Sequence, residues 1–208
     1  LFHGAKDTVV GAPAVDALEQ WLVRYLDGSE IKTIKDVAAA HGWPTLDHGG
    51  PCDTFAAPYI NNCGYDLAGE ILASLHGGLD EPAQEPRSLH RFDQRPFGDA
   101  SLADYGYVYV PARCDRDAGC AVHVFFHGCE QSADTIGTEL ADSAGFNRWA
   151  ENNGIVVLYP QVAKSLAAPM NPLGCWDWWG YSGANYLERS GAQLSAVRRM
   201  VETLSGER

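Results

Sequence analysis

The sequence predicts an α/β layered fold around a largely parallel sheet. Short apolar runs rich in β-branched and aromatic residues, Ala121 to His127 and Ile155 to Tyr159, read as buried strands. Helices are read between and after them, over 132–153 from the Ser132 N-cap to Gly154, and from Ser190 to Leu204 by apolar residues at helical spacing. Strands alternating with helices favour a sheet covered by helices.

Taken in order, Leu1 and Phe2 read as the end of a strand and His3 to Asp7 as the turn after it, so a preceding segment is expected. Pro13 suits a first helical turn. Val15, Leu18, Leu22, Val23 and Leu26 then recur at helical spacing, and Gly28 closes that helix. Ile31 to Ile34 is a short strand candidate. Lys35 to Cys63, rich in Gly, Pro, Asp and Asn, reads as loop. Asp66 to Leu75 places Leu67, Ile71, Leu72 and Leu75 on one side of a helix. Gly77 to Arg87, with Gly-Gly, Pro82 and Pro86, is a connector. Beyond it, Ser88 to Gln94 and Tyr105 to Val110 alternate as strands. Ser132 is placed as the N-cap of a helix reaching about Asn153. The last helix carries Leu194, Val197, Val201 and Leu204.

At 208 residues the chain is long enough for a full core, and one domain over 1–208 is the expectation. The net charge of −12 disfavours nucleic acid and anionic membrane surfaces as partners. No apolar run approaches the roughly 20 residues that a membrane helix needs. Six cysteines are present and no Cys-x-x-Cys knuckle. Disulfides and secretion are therefore expected, with no metal or other cofactor. Cys52 and Cys63 bracket one loop, Cys114 and Cys120 a turn-rich stretch, and Cys129 and Cys175 remain.

The residues able to carry chemistry sit beside strand ends and in loops. Ala121 to His127 runs straight into Gly128 and Cys129. A glycine there permits a sharp turn and close approach to a ligand, and a backbone N–H in that turn can stabilise an oxyanion. In α/β-hydrolases a His-Gly turn after the third strand supplies half of the oxyanion hole. His127 reads as a prop for that turn rather than a proton carrier. Cys129 would contribute its N–H, not its sulfur; a thiol nucleophile is the competing reading. Asp7 follows a strand end, where it either orients a histidine or caps a turn. His41, in His-Gly-Trp-Pro-Thr, sits in a shaped loop, with His48 as rival. Trp176, Trp178 and Trp179, with Tyr181, form either an aromatic wall or core packing. Ser182, in Gly-Tyr-Ser-Gly-Ala, lacks the glycine spacing of a nucleophile elbow and reads as a loop serine. No Gly-x-Ser-x-Gly occurs in the chain.

Together these motifs resemble the extracellular poly(3-hydroxybutyrate) depolymerases of the single-domain, circularly permuted type. The resemblance rests on Pro58-Tyr59-Ile60-Asn61-Asn62-Cys63, on Gly174-Cys175-Trp176-Asp177-Trp178, on the Cys52 to Cys63 spacing, and on His3 to Val9 and His123 to Ser132. It implies an α/β-hydrolase whose serine segment comes first, followed by the Asp, the His and the oxyanion strand. Asp7 then matches the triad Asp, His41 the triad His, Cys129 the oxyanion N–H, and Trp176 with its neighbours the aromatic edge of the substrate crevice. The connector at about 77–87 would join the two ends of the ordinary fold. The family's Gly-Leu-Ser-x-Gly-Gly segment is expected upstream of Leu1 in the same precursor, which would leave these 208 residues catalytically silent alone. The expected substrate is a polyester or a related ester. An esterase of small or plant-wall esters, and a non-catalytic polymer-binding protein using the tryptophans, are the alternatives.

Overall fold

The computed structural model describes residues 1–98, 101–115 and 119–206. The chain forms two compact units, Leu1–Gly78 with Ser143–Gly145, and Leu79–Asp142 with Phe146–Arg208. Their boundary falls at the start of the expected connector.

In the first unit, α1 spans Ala12–Leu22 with Pro13 in its first turn. It stops short of Leu26, and none of its residues is buried. Of the apolar residues at helical spacing, Leu18, Val23 and Leu26 lie at the surface, while Val15 and Leu22 are half-buried. The half-buried side is mixed, Ala12, Val15, Asp16, Glu19 and Leu22: Lys35 Nζ donates to Asp16 at 2.6 Å and Glu19 at 3.0 Å, and Thr33 Oγ1 donates to Glu19 at 2.9 Å. The strand expected at Ile31 to Ile34 shrinks to a parallel bridge between Ile34 and Phe2. The region read as loop instead contains β1 (Trp43–Thr45), β2 (Gly50–Pro51) and β3 (Ile60–Asn62), a parallel sheet ordered β1-β3-β2. Strands of two or three residues are too short to show alternation. Their prolines occupy the outer strands, where a missing N–H is tolerated. α2 spans Leu67–His76, and Asp66 caps it by accepting from the Gly69 N–H at 2.9 Å. Ile60, Leu67, Ala68 and Leu72 are buried. Trp43 Nε1 donates to the Ala144 carbonyl at 2.9 Å, which fastens Ser143–Gly145 to this unit.

The second unit contains β4 (His90–Asp93), β5 (Tyr105–Tyr109), β6 (Ala121–Val124), α3 (Ala133–Ile136), α4 (Glu139–Ser143, whose last residue belongs to the first unit), α5 (Phe146–Asn153), β7 (Ile155–Tyr159) and α6 (Ala192–Ser205). Its sheet runs β4-β5-β7-β6. β6 and β7 pair parallel, with Val122 opposite Val156, as do all strands of the smaller sheet. β5 and β4 continue this sheet antiparallel. All five residues of β7 are buried, as its central place requires. The single helix expected over 132–153 is three, because Gly137 (φ 63°) and Gly145 (φ 97°) adopt left-handed backbone that ends a helix. Ser132 holds the N-cap position without a side-chain capping bond. Leu102, Leu158, Val162, Ala196 and Met200 form a core cluster, against which Phe92, Val124 and Trp176 pack.

All six cysteines form disulfides: Cys52–Cys63, Cys114–Cys120 and Cys129–Cys175. The Cys129 thiol is thus consumed, which removes the thiol-nucleophile reading.

Candidate active site

The first unit brings Asp7 and His41 together across 34 residues of sequence. Close backbone approach makes this possible: the 3–6 turn bonds to the 34–39 stretch through His3 N–H to Ile34, Ala5 N–H to Val37 and Lys6 N–H to Ala39. A Cβ on Gly4 would stand 2.2 Å from the Ala39 carbonyl oxygen, so only glycine fits there. Asp7 then points one carboxylate oxygen at the Val9 and Val10 N–H groups, at 2.8 and 2.9 Å. The other oxygen lies 2.8 Å from His41 Nδ1. Burial pushes the Asp7 carboxyl up, but the bonds from His41, Val10 and Val9 outweigh it and hold the group below the usual carboxylate range. An ionised Asp7 assigns the proton to Nδ1 and leaves the lone pair on Nε2. The Asp7 side chain is 10% exposed and that of His41 41%, so the carboxylate is sheltered while the ring stays reachable. His48 makes a local backbone turn with Thr45, whose Oγ1 receives the His48 N–H at 3.1 Å.

The second unit carries the His-Gly turn from which an oxyanion N–H was expected. β6 ends at Val124; Phe125 N–H still reaches the Leu158 carbonyl at 2.9 Å before the chain turns away. Gly128 is not left-handed here. A Cβ there would sit 2.7 Å from Gln131 Oε1, which accepts the Gly128 N–H, so a larger residue would displace that side chain. The left-handed residue is Glu130, at φ 61°. Its N–H donates to the Leu173 carbonyl at 2.7 Å, and the Gln131 N–H to the Gly128 carbonyl at 3.2 Å. Every N–H from Gly128 to Gln131 is thus engaged except that of Cys129, which has no partner among the described residues. Cys129 is itself exposed.

The Cys129–Cys175 bond ties this turn to the tryptophan loop. Trp176 is half-buried and meets Phe126 edge-on at 4.8 Å. With Phe126, Ser182, Leu187, Leu194 and Val197 it lines a mostly apolar cleft of about 370 Å³. Trp178 and Trp179 do not line it; they stand on the surface, 72% and 42% exposed, in edge contact with each other. A larger cleft of about 830 Å³ on the same unit has charged walls that include Arg91, Arg95, Asp104 and Asp134.

Asp177 organises the loop, and inspection of the sequence missed it. One carboxylate oxygen accepts the N–H groups of Trp179, Gly180 and Tyr181 at 3.1, 2.6 and 3.0 Å. The other accepts the N–H and the hydroxyl of Ser182 at 2.7 and 2.6 Å. The legible signal was an Asp opening a Gly- and Ser-containing turn. Ser182 is therefore engaged as a donor, and Ser132 is fully buried. Burial raises the Asp177 carboxyl, but its bonds to Ser182, Gly180 and Tyr181 lower it further and leave it below the ordinary value. A depressed folded-state value contributes stability above the unfolded value of about 4, lost as the pH falls through the folded one. Asp177→Asn is expected to cost roughly 1–2 kcal/mol at neutral pH. Its deficit against wild type should shrink below about pH 4, as urea titrations at neutral and acid pH would show.

The first unit holds a sheltered Asp–His pair, and the second a sheet flanked by helices with a His-Gly turn after a strand; each is a feature of the α/β-hydrolase class. Comparison with known proteins narrows this. The profile of the Esterase PHB depolymerase family matches residues 105–208, half of the chain. The chain belongs to this family. It is 39% identical over 211 residues to a poly(3-hydroxybutyrate) depolymerase of Delftia acidovorans, covering 99% of this chain and 42% of the relative. It is 32% identical over 219 residues to a polyhydroxybutyrate depolymerase of Talaromyces funiculosus, covering 98% and 65%. A solved PHB depolymerase with a serine-to-alanine substitution, complexed with R3HB trimer, superposes with a TM-score of 0.95 at 31% identity, covering 99% of this chain and 70% of that one. The chain thus spans less than two thirds of the length of these curated relatives.

Proposed function

We propose that this chain is the greater part of a secreted serine esterase that hydrolyses poly(3-hydroxybutyrate)-like polyesters, and that 1–208 belongs to one catalytic domain. The observation that carries this reading is the His41 Nδ1 contact with Asp7 at 2.8 Å, which leaves Nε2 free on a reachable ring. His41 takes the proton of a serine hydroxyl at Nε2 as the oxygen attacks the ester carbonyl, while Asp7 stabilises the imidazolium. The Cys129 N–H receives the carbonyl oxygen as it becomes anionic. His41 then gives the proton to the leaving alcohol. Water, activated by the same imidazole, hydrolyses the acyl-enzyme and releases the acid.

The nucleophile is assigned to a segment of the same precursor outside these 208 residues. Ser182 is spent on Asp177, Ser132 is buried, and neither lies in a strand-to-helix elbow. The relative solved with R3HB trimer carries a serine-to-alanine substitution, which supports a serine nucleophile and this substrate class. Three disulfides, and the lack among the described residues of a helix long and apolar enough to cross a membrane, support secretion.

The test is release of 3-hydroxybutyrate and its oligomers from a poly(3-hydroxybutyrate) film by the complete enzyme, beside hydrolysis of a short p-nitrophenyl ester and a feruloyl ester. Activity on the feruloyl ester with none on the film would instead place the protein among esterases of plant-wall esters. Trp178→Ala should lower film degradation roughly fivefold, the worth of an aromatic contact of ~1 kcal/mol, and leave the short ester within twofold (about) of wild type. Equal losses on both substrates would remove Trp178 from polymer contact.

A further inference from the structure

His127 is 5% exposed, and both of its ring nitrogens are committed to backbone. The Val162 N–H lies 3.2 Å from Nε2, so Nε2 must offer its lone pair. The proton then resides on Nδ1, which lies 2.8 Å from the Gly128 carbonyl oxygen and donates to it. Burial lowers the His127 pKa, consistent with a neutral ring in this one tautomer. A buried histidine bonded at both nitrogens is ordinarily a core brace. What distinguishes this one is the peptide it grips. The Gly128 carbonyl belongs to the same amide as the Cys129 N–H.

We propose that His127 is a positioning residue for ester hydrolysis, fixing and polarising the Gly128–Cys129 peptide so that the Cys129 N–H points at the developing oxyanion. This rests on the reading of Cys129 as oxyanion donor. In a planar trans amide the carbonyl and the N–H point in opposite directions, so holding one aims the other. Here two donors hold the carbonyl, His127 Nδ1 and the Gln131 N–H at 3.2 Å. Hydrogen bonds donated to an amide carbonyl withdraw electron density from its nitrogen and make the N–H a stronger donor. On the far side, the Cys175 that holds Cys129 is itself pinned by Asn171, which accepts its N–H and donates to its carbonyl, both at 2.9 Å. The amide is thus set before substrate arrives, the condition under which an oxyanion donor costs no reorganisation.

Two substitutions in the complete enzyme separate positioning from bracing. His127→Gln places its amide near the site of Nε2 and removes the donor to Gly128. His127→Asn places its amide near the site of Nδ1, restores that donor and removes the acceptor for Val162. On a soluble p-nitrophenyl ester, His127→Gln should lower kcat about tenfold or more while KM moves little, short of the loss on deleting an oxyanion donor outright. His127→Asn should recover at least about fivefold of that loss, although thermal unfolding shows it to be no more stable than His127→Gln. Losses of kcat that simply follow stability, or an unchanged kcat in His127→Gln, overturn the proposal. Nitrogen NMR of the wild-type ring is independent of how the variants fold: the Nδ1–H tautomer is expected, and an Nε2–H tautomer overturns it. A wild-type enzyme inert on every ester would overturn the esterase reading itself, and this inference with it.

Discussion

In the complete enzyme, His41→Ala is expected to lower kcat on a short soluble ester about 10,000-fold, with Asp7→Asn close behind. The two losses have different causes. Alanine removes the group proposed to take the serine proton. Asparagine keeps an oxygen able to accept the Val9 and Val10 N–H bonds, now at 2.8 and 2.9 Å, so the turn persists. It turns an amide donor toward His41 Nδ1, however, which favours the tautomer with the proton on Nε2 and no lone pair for the serine. Folding should change little, because His41 is partly exposed and the 3–6 turn has its own backbone bonds to the 34–39 stretch. Saturating kinetics with active-site titration, beside thermal unfolding, make the measurement. Turnover within tenfold (about) of wild type in either variant would remove the Asp7–His41 pair from the chemistry.

Removing the Cys129–Cys175 bond, as the Cys129→Ala/Cys175→Ala pair, should destabilise the protein by about 4 kcal/mol from chain entropy. The bond closes a 46-residue span, the longest of the three, so it restricts the unfolded chain most. The urea midpoint should fall and the m-value rise, because the unfolded chain gains freedom to expand. Below the unfolding transition the short-ester kcat should survive in large part. The proposed oxyanion donor is the backbone N–H of residue 129, and alanine has one too. Film degradation should fall further than short-ester hydrolysis, since the tryptophan loop loses its tie to the turn. An unchanged urea midpoint would mean that the Asn171 clamp on Cys175 already restrains the loop. Complete loss of short-ester activity in the folded variant would assign the disulfide a direct part in shaping the oxyanion turn.

Legibility tracked the range over which each signal acts. β5, β7 and α6 were visible because alternation, apolar runs and helical spacing are written over consecutive residues. Asp7, His41 and Cys129 were visible as separate candidates, each beside a strand end or in a shaped loop, and the family resemblance joined them. The sheet made from Trp43–Thr45, Gly50–Pro51 and Ile60–Asn62 was not visible, since its strands exist only through one another. The break of 132–153 into three helices was half visible. Gly137 and Gly145 were in plain view, but the Ser132 N-cap and the stop at Gly154 suggested one continuous helix. For α1 the helical spacing was legible, but not that Asp16 and Glu19 hold the helix through Lys35 and Thr33 while Leu18 stays exposed.

By itself the sequence determined the α/β class, two disulfides by their bracketing and the third as the remaining pair, the absence of a nucleophile elbow and a short list of candidate catalytic residues. These follow from local dihedral preference, hydrophobic period and residue chemistry, which a chain carries wherever it folds. Only tertiary structure decided that Asp177 gathers the tryptophan loop, that Trp176 lines a cleft while Trp178 and Trp179 stand outside it, and which nitrogen of His127 bears the proton; it also supplied the contact between Asp7 and the histidine that the resemblance had matched to it. The partner of Asp7 lies 34 residues away and that of His127 Nε2 lies 35. Such partners are chosen when burial of apolar surface brings distant backbone together, and each buried donor and acceptor must then find its match.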